Sequence, residues 1–475
     1  MKRCDALVQG ALVNLILLGA GSFSFAQVTV PAEPPKPVPA GPGALSDTRA
    51  NPYPSTYKAP PSKPFVVVNA NLLTAAGPVI SGGAISVRDG KIIEVGAKVA
   101  TASDAQVIDG KGRFLTPGII DVHSHLGVMS APLIPAHMDI NETLKPNEAG
   151  SWAEHSVWPQ DPQFAHDLMS GVTTLQILPG SAVLFGGRSV ILKPIPARTV
   201  QEMKFPGAPY GLKMASGENP KRIFKDRGPA TRMGLMATLR GVLIDAEQYG
   251  RNQEEWKAHR TGVMPKRDLA LETIWGALKG DILIHIHCYR SADMANYIDL
   301  SHEFGFKIRT FQHSVEAYKI ADILAKEGIG AAVWSDLGAF KAEAMDAIKA
   351  NAALVFASGA RVMAHSDDPS SSQRLNQEVA KEIEAGSEIG ITIREDEAIK
   401  WITLNPAWAI GLEKQIGSLE KGKNADIVLW SGNPFSVYSR ADLVWVDGSL
   451  RYDRSKPDTR PANDFDLGHV PGVDK

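Results

Sequence analysis

Cysteine is almost absent. Cys4 and Cys288 are the only two in 475 residues, which excludes a disulfide framework and a cysteine-type zinc site. Any metal must therefore be held by histidine, carboxylate or modified lysine. Excess charge of one sign is missing too: a formal net charge of -2 offers neither a basic field for nucleic acid nor an acidic tail. Beyond the amino terminus no apolar run approaches the ~20 residues of a membrane span. Glycine and proline, at 43 and 32, are not in the excess that marks collagen or wholesale disorder, and 44% hydrophobic residues is ordinary globular composition. At about 150 residues per domain, the length accommodates two or three domains or one large barrel.

The first residues read as an export signal. Lys2 and Arg3 precede an apolar stretch through Leu12, Ile16 and Leu18, and small residues lead to Ser24-Phe25-Ala26. Cleavage after Ala26 predicts a periplasmic or secreted protein, free of the membrane, in which Cys288 is left alone; the alternative reading of the same short apolar run is an uncleaved membrane anchor. Eleven prolines lie between Gln27 and Pro64, a density that predicts an extended, non-packing, disordered linker over 27–63.

From Phe65 the texture changes to short β-branched runs: Phe65 to Val68, Ala84 to Val87, Lys91 to Val95 and Ala105 to Ile108, with Asp89-Gly90 as a hairpin turn. The same texture returns at Asp426 to Trp430 and Leu443 to Val446, with Asp447-Gly448 as a second turn. These two β pieces, 64–115 and 413–455, flank everything else and are expected to fold together, leaving 456–475 as a tail. Between them, over 116–412, strand-like and helix-like stretches alternate as in repeated βα units with a parallel sheet. Candidate strands end near Asp121, Gln176, Leu192, Met214, His287, His313, Trp334 and Asp367. Eight such strands suit a (β/α)8 TIM barrel, whose chemistry sits at the carboxyl ends of the strands.

Those ends carry metal-binding groups. Asp121, His123 and His125 alternate along the first strand, so all three share a face, and two imidazoles so placed can grip one ion. His287 and His313 end two further strands, and one histidine from each could hold a second ion. Asp367 ends the eighth, where a carboxylate both ligates metal and exchanges protons with water. Asp368, just before Pro369, reads as a turn or cap, His365 and His285 as support, and Cys288 as pointing away.

The ordered set FLTPGIIDVHSH, GVTTLQILPG, GLKMASGENP, IHCYRSADM, TFQHSVEAY, AHSDDP and TLNPAWAIGL, closed by IGSLEKGKNADIVLW, resembles the amidohydrolase superfamily of metal-dependent hydrolases. The likeness spans about Phe65 to Arg451 and is greatest to its imidazolonepropionase-like and prolidase-like members. It implies a distorted barrel attached to a composite β-sandwich. It further implies His123, His125 and Asp367 as ligands of one ion, His287 and His313 as ligands of another, and a carboxylated lysine bridging the two; the histidine-rich set makes zinc the default metal, with manganese, iron and cobalt as alternatives. Lys213 stands where such members keep that lysine; Glu218, five residues on, and Lys193 are the rival bridges.

The activity implied is hydrolysis of a C–N bond in a small amide or dipeptide, with Asp367 as the catalytic carboxylate. The alternatives are a one-metal cyclic-amide hydrolase or deaminase, and a non-catalytic binding protein on the same fold. Arg290 counts against deamination, because deaminases commonly keep a glutamate three residues after the fifth-strand histidine. Specificity is expected from loops. The long 129–162 connection, with His137, Trp152, His155 and Trp158, is either a lid or a surface excursion and oligomer contact. Gly186-Gly187-Arg188 and Lys221-Arg222 are candidates for holding a substrate carboxylate.

Overall fold

A computed structural model describes residues 43, 45–49, 51–336 and 338–456, so the expected signal peptide, the linker up to 42 and the tail from 457 lie outside the described residues. The chain enters a β unit through β1 (Phe65–Leu72), β2 (Ile80–Arg88), β3 (Lys91–Gly96), β4 (Gln106–Asp109) and β5 (Phe114–Pro117). Asp89 and Gly90 both take positive φ, 51° and 74°, as the two-residue turn between β2 and β3 requires.

The barrel follows: β6 (Ile119–Ser124), β7 (Val172–Ile177), β8 (Phe185–Leu192), β9 (Gly211–Ala215), β10 (Leu283–Cys288), β11 (Ile308–His313), β12 (Gly330–Val333) and β13 (Arg361–Ala364), neighbouring one another in chain order. The seam between the last strand and the first is drawn together by Asp367 N–H donating to His123 O at 2.9 Å.

One strand departs from the expected parallel sheet: β8 runs antiparallel to both β7 and β9. The reason is the length of the connection. Only residues 178–184 join β7 to β8, whereas a parallel crossover needs a dozen or more residues. Reversal sends the carboxyl end of β8, and with it Lys193, to the floor of the barrel. Lys193 Nζ there meets Asp447 Oδ2 at 2.8 Å and Asp426 Oδ2 at 3.5 Å.

The chain returns to the β unit with β14 (Ile427–Trp430), β15 (Ala441–Val446) and β16 (Ser449–Asp453), which extend the first sheet in the order β16-β15-β14-β5-β1-β2-β3, with β4 on β1. Val67, Leu72, Ile85 and Leu115 from the early part pack with Ile427, Leu429 and Trp445 from the late part, so the two ends share one core.

The expected non-packing linker is corrected over its described part. Arg49 pairs with Asp281, Ser55 Oγ donates to Lys204 O, Thr56 N–H donates to Gln201 O, and Tyr57 OH donates to Asp447. Proline disfavours helix and central strand, but it does not prevent an extended segment from bonding to a surface through its remaining polar groups. Among the described residues no helix is long and apolar enough to cross a membrane.

Candidate metal centre

Every strand end that the sequence singled out, β8 excepted, opens on the same mouth. His123 and His125 come from β6 and the residue after it, both buried, with ring centroids 5.0 Å apart. Their tautomers follow from their partners. His125 Nδ1 lies 2.9 Å from Leu178 O, and a carbonyl only accepts, so Nδ1 carries the proton. Gln312 Nε2 donates to Thr310 Oγ1 at 2.8 Å, which turns Gln312 Oε1 toward His123 Nδ1 at 3.0 Å, so this nitrogen is protonated as well. In the neutral form of each ring Nε2 then keeps its lone pair, and each Nε2 stands 3.3 Å from Asp367 Oδ1.

That arrangement is the test of fit for an ion. His123, His125 and Asp367 bring ligand atoms within 4.8 Å of one another, and His123, His313 and His365 form a second such group. Lone pairs turned toward each other in a buried place repel unless a cation lies between them. His287 Nδ1, His313 Nδ1 and both nitrogens of His365 are buried without a hydrogen-bond partner, which fits the same requirement. The residues present suit divalent metal.

Burial drives His123, His287 and His313 well below the ordinary imidazole value, with the Lys213 field adding to it, so these rings are neutral and able to ligate. Burial also pushes Asp367 upward, but the groups that face it, His125 first and then His365 and Lys213, outweigh it and hold the carboxyl at about 2. Asp367 is a third exposed, unlike the imidazoles around it, and so is the carboxylate within reach of a ligand in the mouth. His313 and Asp367 both sit in left-handed backbone, φ 69° and 61°, a strain on the order of 1–3 kcal/mol each that the surrounding contacts sustain.

Lys213, on β9, is 1% exposed, with Nζ 3.0 Å from His123 Nε2 and 3.2 Å from Pro179 O. Among the described residues no carboxylate neutralises it within ion-pair distance, and burial lowers its amine to about 7. The rival bridges are elsewhere. Glu218 opens the short helix after β9, gives its N–H to Glu343 and joins neither group of ligand atoms. Lys193 is excluded as a bridge by the reversal of β8.

Other expectations are corrected. Arg188, offered as a carboxylate holder, is 1% exposed: Trp152 covers its guanidinium at 4.2 Å, Nε donates to Thr273 Oγ1, and Nη2 lies 3.5 Å from Glu272. It faces the outer wall, not the mouth. Gly187 beside it has φ 116°, and a Cβ there would collide with Ser151 O, so glycine serves the seating of the 129–162 segment on β8. Arg222 is exposed. Asp368 makes the expected turn, accepting from Ser370 N–H at 2.6 Å. His285 supports from below through Thr310 Oγ1 at 2.8 Å. Cys288 is buried, and burial pushes its thiol up.

Asp121 shares the face of His123 but is a clasp, accepting from Ser366 Oγ at 2.5 Å and from His123 N–H at 3.1 Å. Sequence reasoning missed Gln312, Tyr289 and Trp334. Tyr289 stacks on His313 with centroids 5.1 Å apart, and Trp334 packs on the same ring at 4.5 Å. Strand alternation from His287 would have found Tyr289, two residues on. It could not find Gln312, since the left-handed turn at His313 brings consecutive residues to one site.

Residues 310–452 match the model of the amidohydrolase family. Amidohydrolase tasK of Hapsidospora irregularis is 31% identical over 90% of this chain, although the chain spans about half of that relative, 47% of its length. Imidazolonepropionase of Sphingopyxis alaskensis is 27% identical over 78% of this chain and 93% of its own. Among solved structures, an amidohydrolase from Thermotoga maritima superposes with a TM-score of 0.76 at 32% identity, over 82% of this chain and all of that one. With the barrel, the composite sheet and the histidine-rich mouth all in place, the chain belongs to the amidohydrolase superfamily.

Proposed function

We propose that the chain hydrolyses an amide-type C–N bond of a small molecule, such as an N-acyl amino acid, a dipeptide or a cyclic amide. The observation that carries this reading is the meeting of His123 Nε2, His125 Nε2 and Asp367 Oδ1 beside His287, His313 and Lys213 in one mouth. His123, His125 and Asp367 would hold one divalent ion, His287 and His313 a second, and Lys213 both as its carbamate. Zinc suits so imidazole-rich a set. When bound, such ions acidify water and polarise a carbonyl. Lys213 reaches the carbamate as a neutral amine that adds carbon dioxide and releases a proton, a step its burial away from carboxylates favours. Asp367 takes the proton of the attacking water and delivers it to the leaving nitrogen, for which its partial exposure fits it.

Elemental analysis of purified, metal-replete protein should give two ions per chain. Labelled carbon dioxide should give a carbamate signal in carbon NMR that K213M lacks. Against a panel of N-acyl amino acids, dipeptides and cyclic amides, D367N should lose about a hundredfold or more in turnover. No hydrolysis across the panel, or a D367N enzyme as fast as its parent, would sink the proposal. The signal-like amino terminus supports action outside the cytoplasm, which cell fractionation with amino-terminal sequencing of the mature chain tests.

A further inference from the structure

Lys341 stands on the connection after β12, at the mouth. Its Nζ lies 3.7 Å from the centroid of the Tyr289 ring and 3.4 Å from Asn219 Oδ1, while Asn219 Nδ2 lies 3.4 Å from His287 Nε2. The ammonium is thus separated from a proposed ligand by a single side chain. Among the described residues no carboxylate comes within 4.0 Å of it, although Glu218, Glu343 and Asp367 act on it from farther away. Of the two nearest acids, Glu343 is taken by Arg232 and by Glu218 N–H. Around the amine runs an aromatic wall: Tyr289 packs on Trp334 at 6.0 Å and on Phe340 at 6.4 Å, and Phe340 is 57% exposed.

We infer that Lys341 holds a free carboxylate of the substrate, whose apolar group lies on Tyr289, Trp334 and Phe340. A half-buried ammonium beside an aromatic face and without a close internal counter-ion is attracted to an anion from solvent, and the carboxylate recovers the interaction that burial denied the amine. The amide reading leaves N-acyl amino acids, dipeptides and neutral cyclic amides open; this inference rests on that reading and narrows it to substrates with an anionic end beside an apolar side chain.

The test uses the metal-replete full protein and two probes, N-acetyl-L-phenylalanine and N-acetylphenethylamine, which differ only in the carboxylate. Titration calorimetry should show the acid bound at least about tenfold more tightly than its neutral counterpart. K341M should abolish the difference between the probes, and K341R should restore part of it, with circular dichroism verifying that each variant is folded. Equal affinity for both probes, no binding of either, or an undiminished preference in K341M would overturn the inference. Discrimination without hydrolysis would uphold Lys341 and count against the amide reading, whereas hydrolysis without discrimination would do the reverse.

Discussion

A single amide oxygen decides how the first histidine is used. Gln312 orients His123 through Nδ1 and is itself held by Thr310, which also meets His285, so one line of hydrogen bonds runs from the barrel interior to the mouth. Replacing Gln312 by Met keeps the volume but removes the acceptor, and metal affinity should fall about 10- to 100-fold, as measured by chelator competition. A second residue sets a pH dependence. Glu382 is 3% exposed, and burial, with Glu378 and Asp336 adding, raises its carboxyl to about 9.

The folded chain therefore keeps a proton there that the unfolded chain loses above about 4.3, so this group makes stability fall as pH rises toward 9. E382Q should flatten that slope in denaturant titrations run between pH 5 and 9, and should be more stable than its parent at the upper end. At this scale the histidines and Asp367 were legible, because alternation and strand ends suffice to find them. Gln312 was not, since the backbone turn at His313 is a tertiary fact.

Among the elements, β8 separates what could be read from what was missed. Its position as third strand was visible in Phe185 to Leu192, but its direction was not drawn from the shortness of residues 178–184. Direction decides the use of two lysines that composition treats alike: Lys213 ends up among imidazoles, Lys193 between two aspartates. K193M leaves Asp426 and Asp447 buried without their cation and should cost about 3–5 kcal/mol in unfolding measurements, with unchanged metal content in the folded fraction. K213M should do the opposite, lowering metal content. If K193M emptied the mouth of metal, the reversed strand would be wrong.

For the molecule as a whole, the segment from 45 to 63 is more than a tether. Asn51 Oδ1 accepts from Lys204 Nζ at 3.0 Å and from Tyr210 OH at 2.9 Å, Lys204 also pairs with Glu154, and Tyr53 packs edge-on against Trp152 and His155. Glu154, Trp152 and His155 belong to the 129–162 segment, so the strap clamps that segment to the barrel wall beside β8. A chain starting at Lys58 should melt several degrees below one starting at Gln27, and protease should cut it faster within 129–162. Proline content gave no hint of this, because the clamp is made by the polar residues between the prolines.

The seam bond from Asp367 N–H to His123 O joins residues 244 positions apart, and Asp367 shares its proposed ion with His123 and His125. During synthesis the ribosome releases the two histidines long before the aspartate. Binding of the proposed ion would accordingly wait for ring closure, and an interrupted polypeptide ending short of 367 would carry an incomplete chelate.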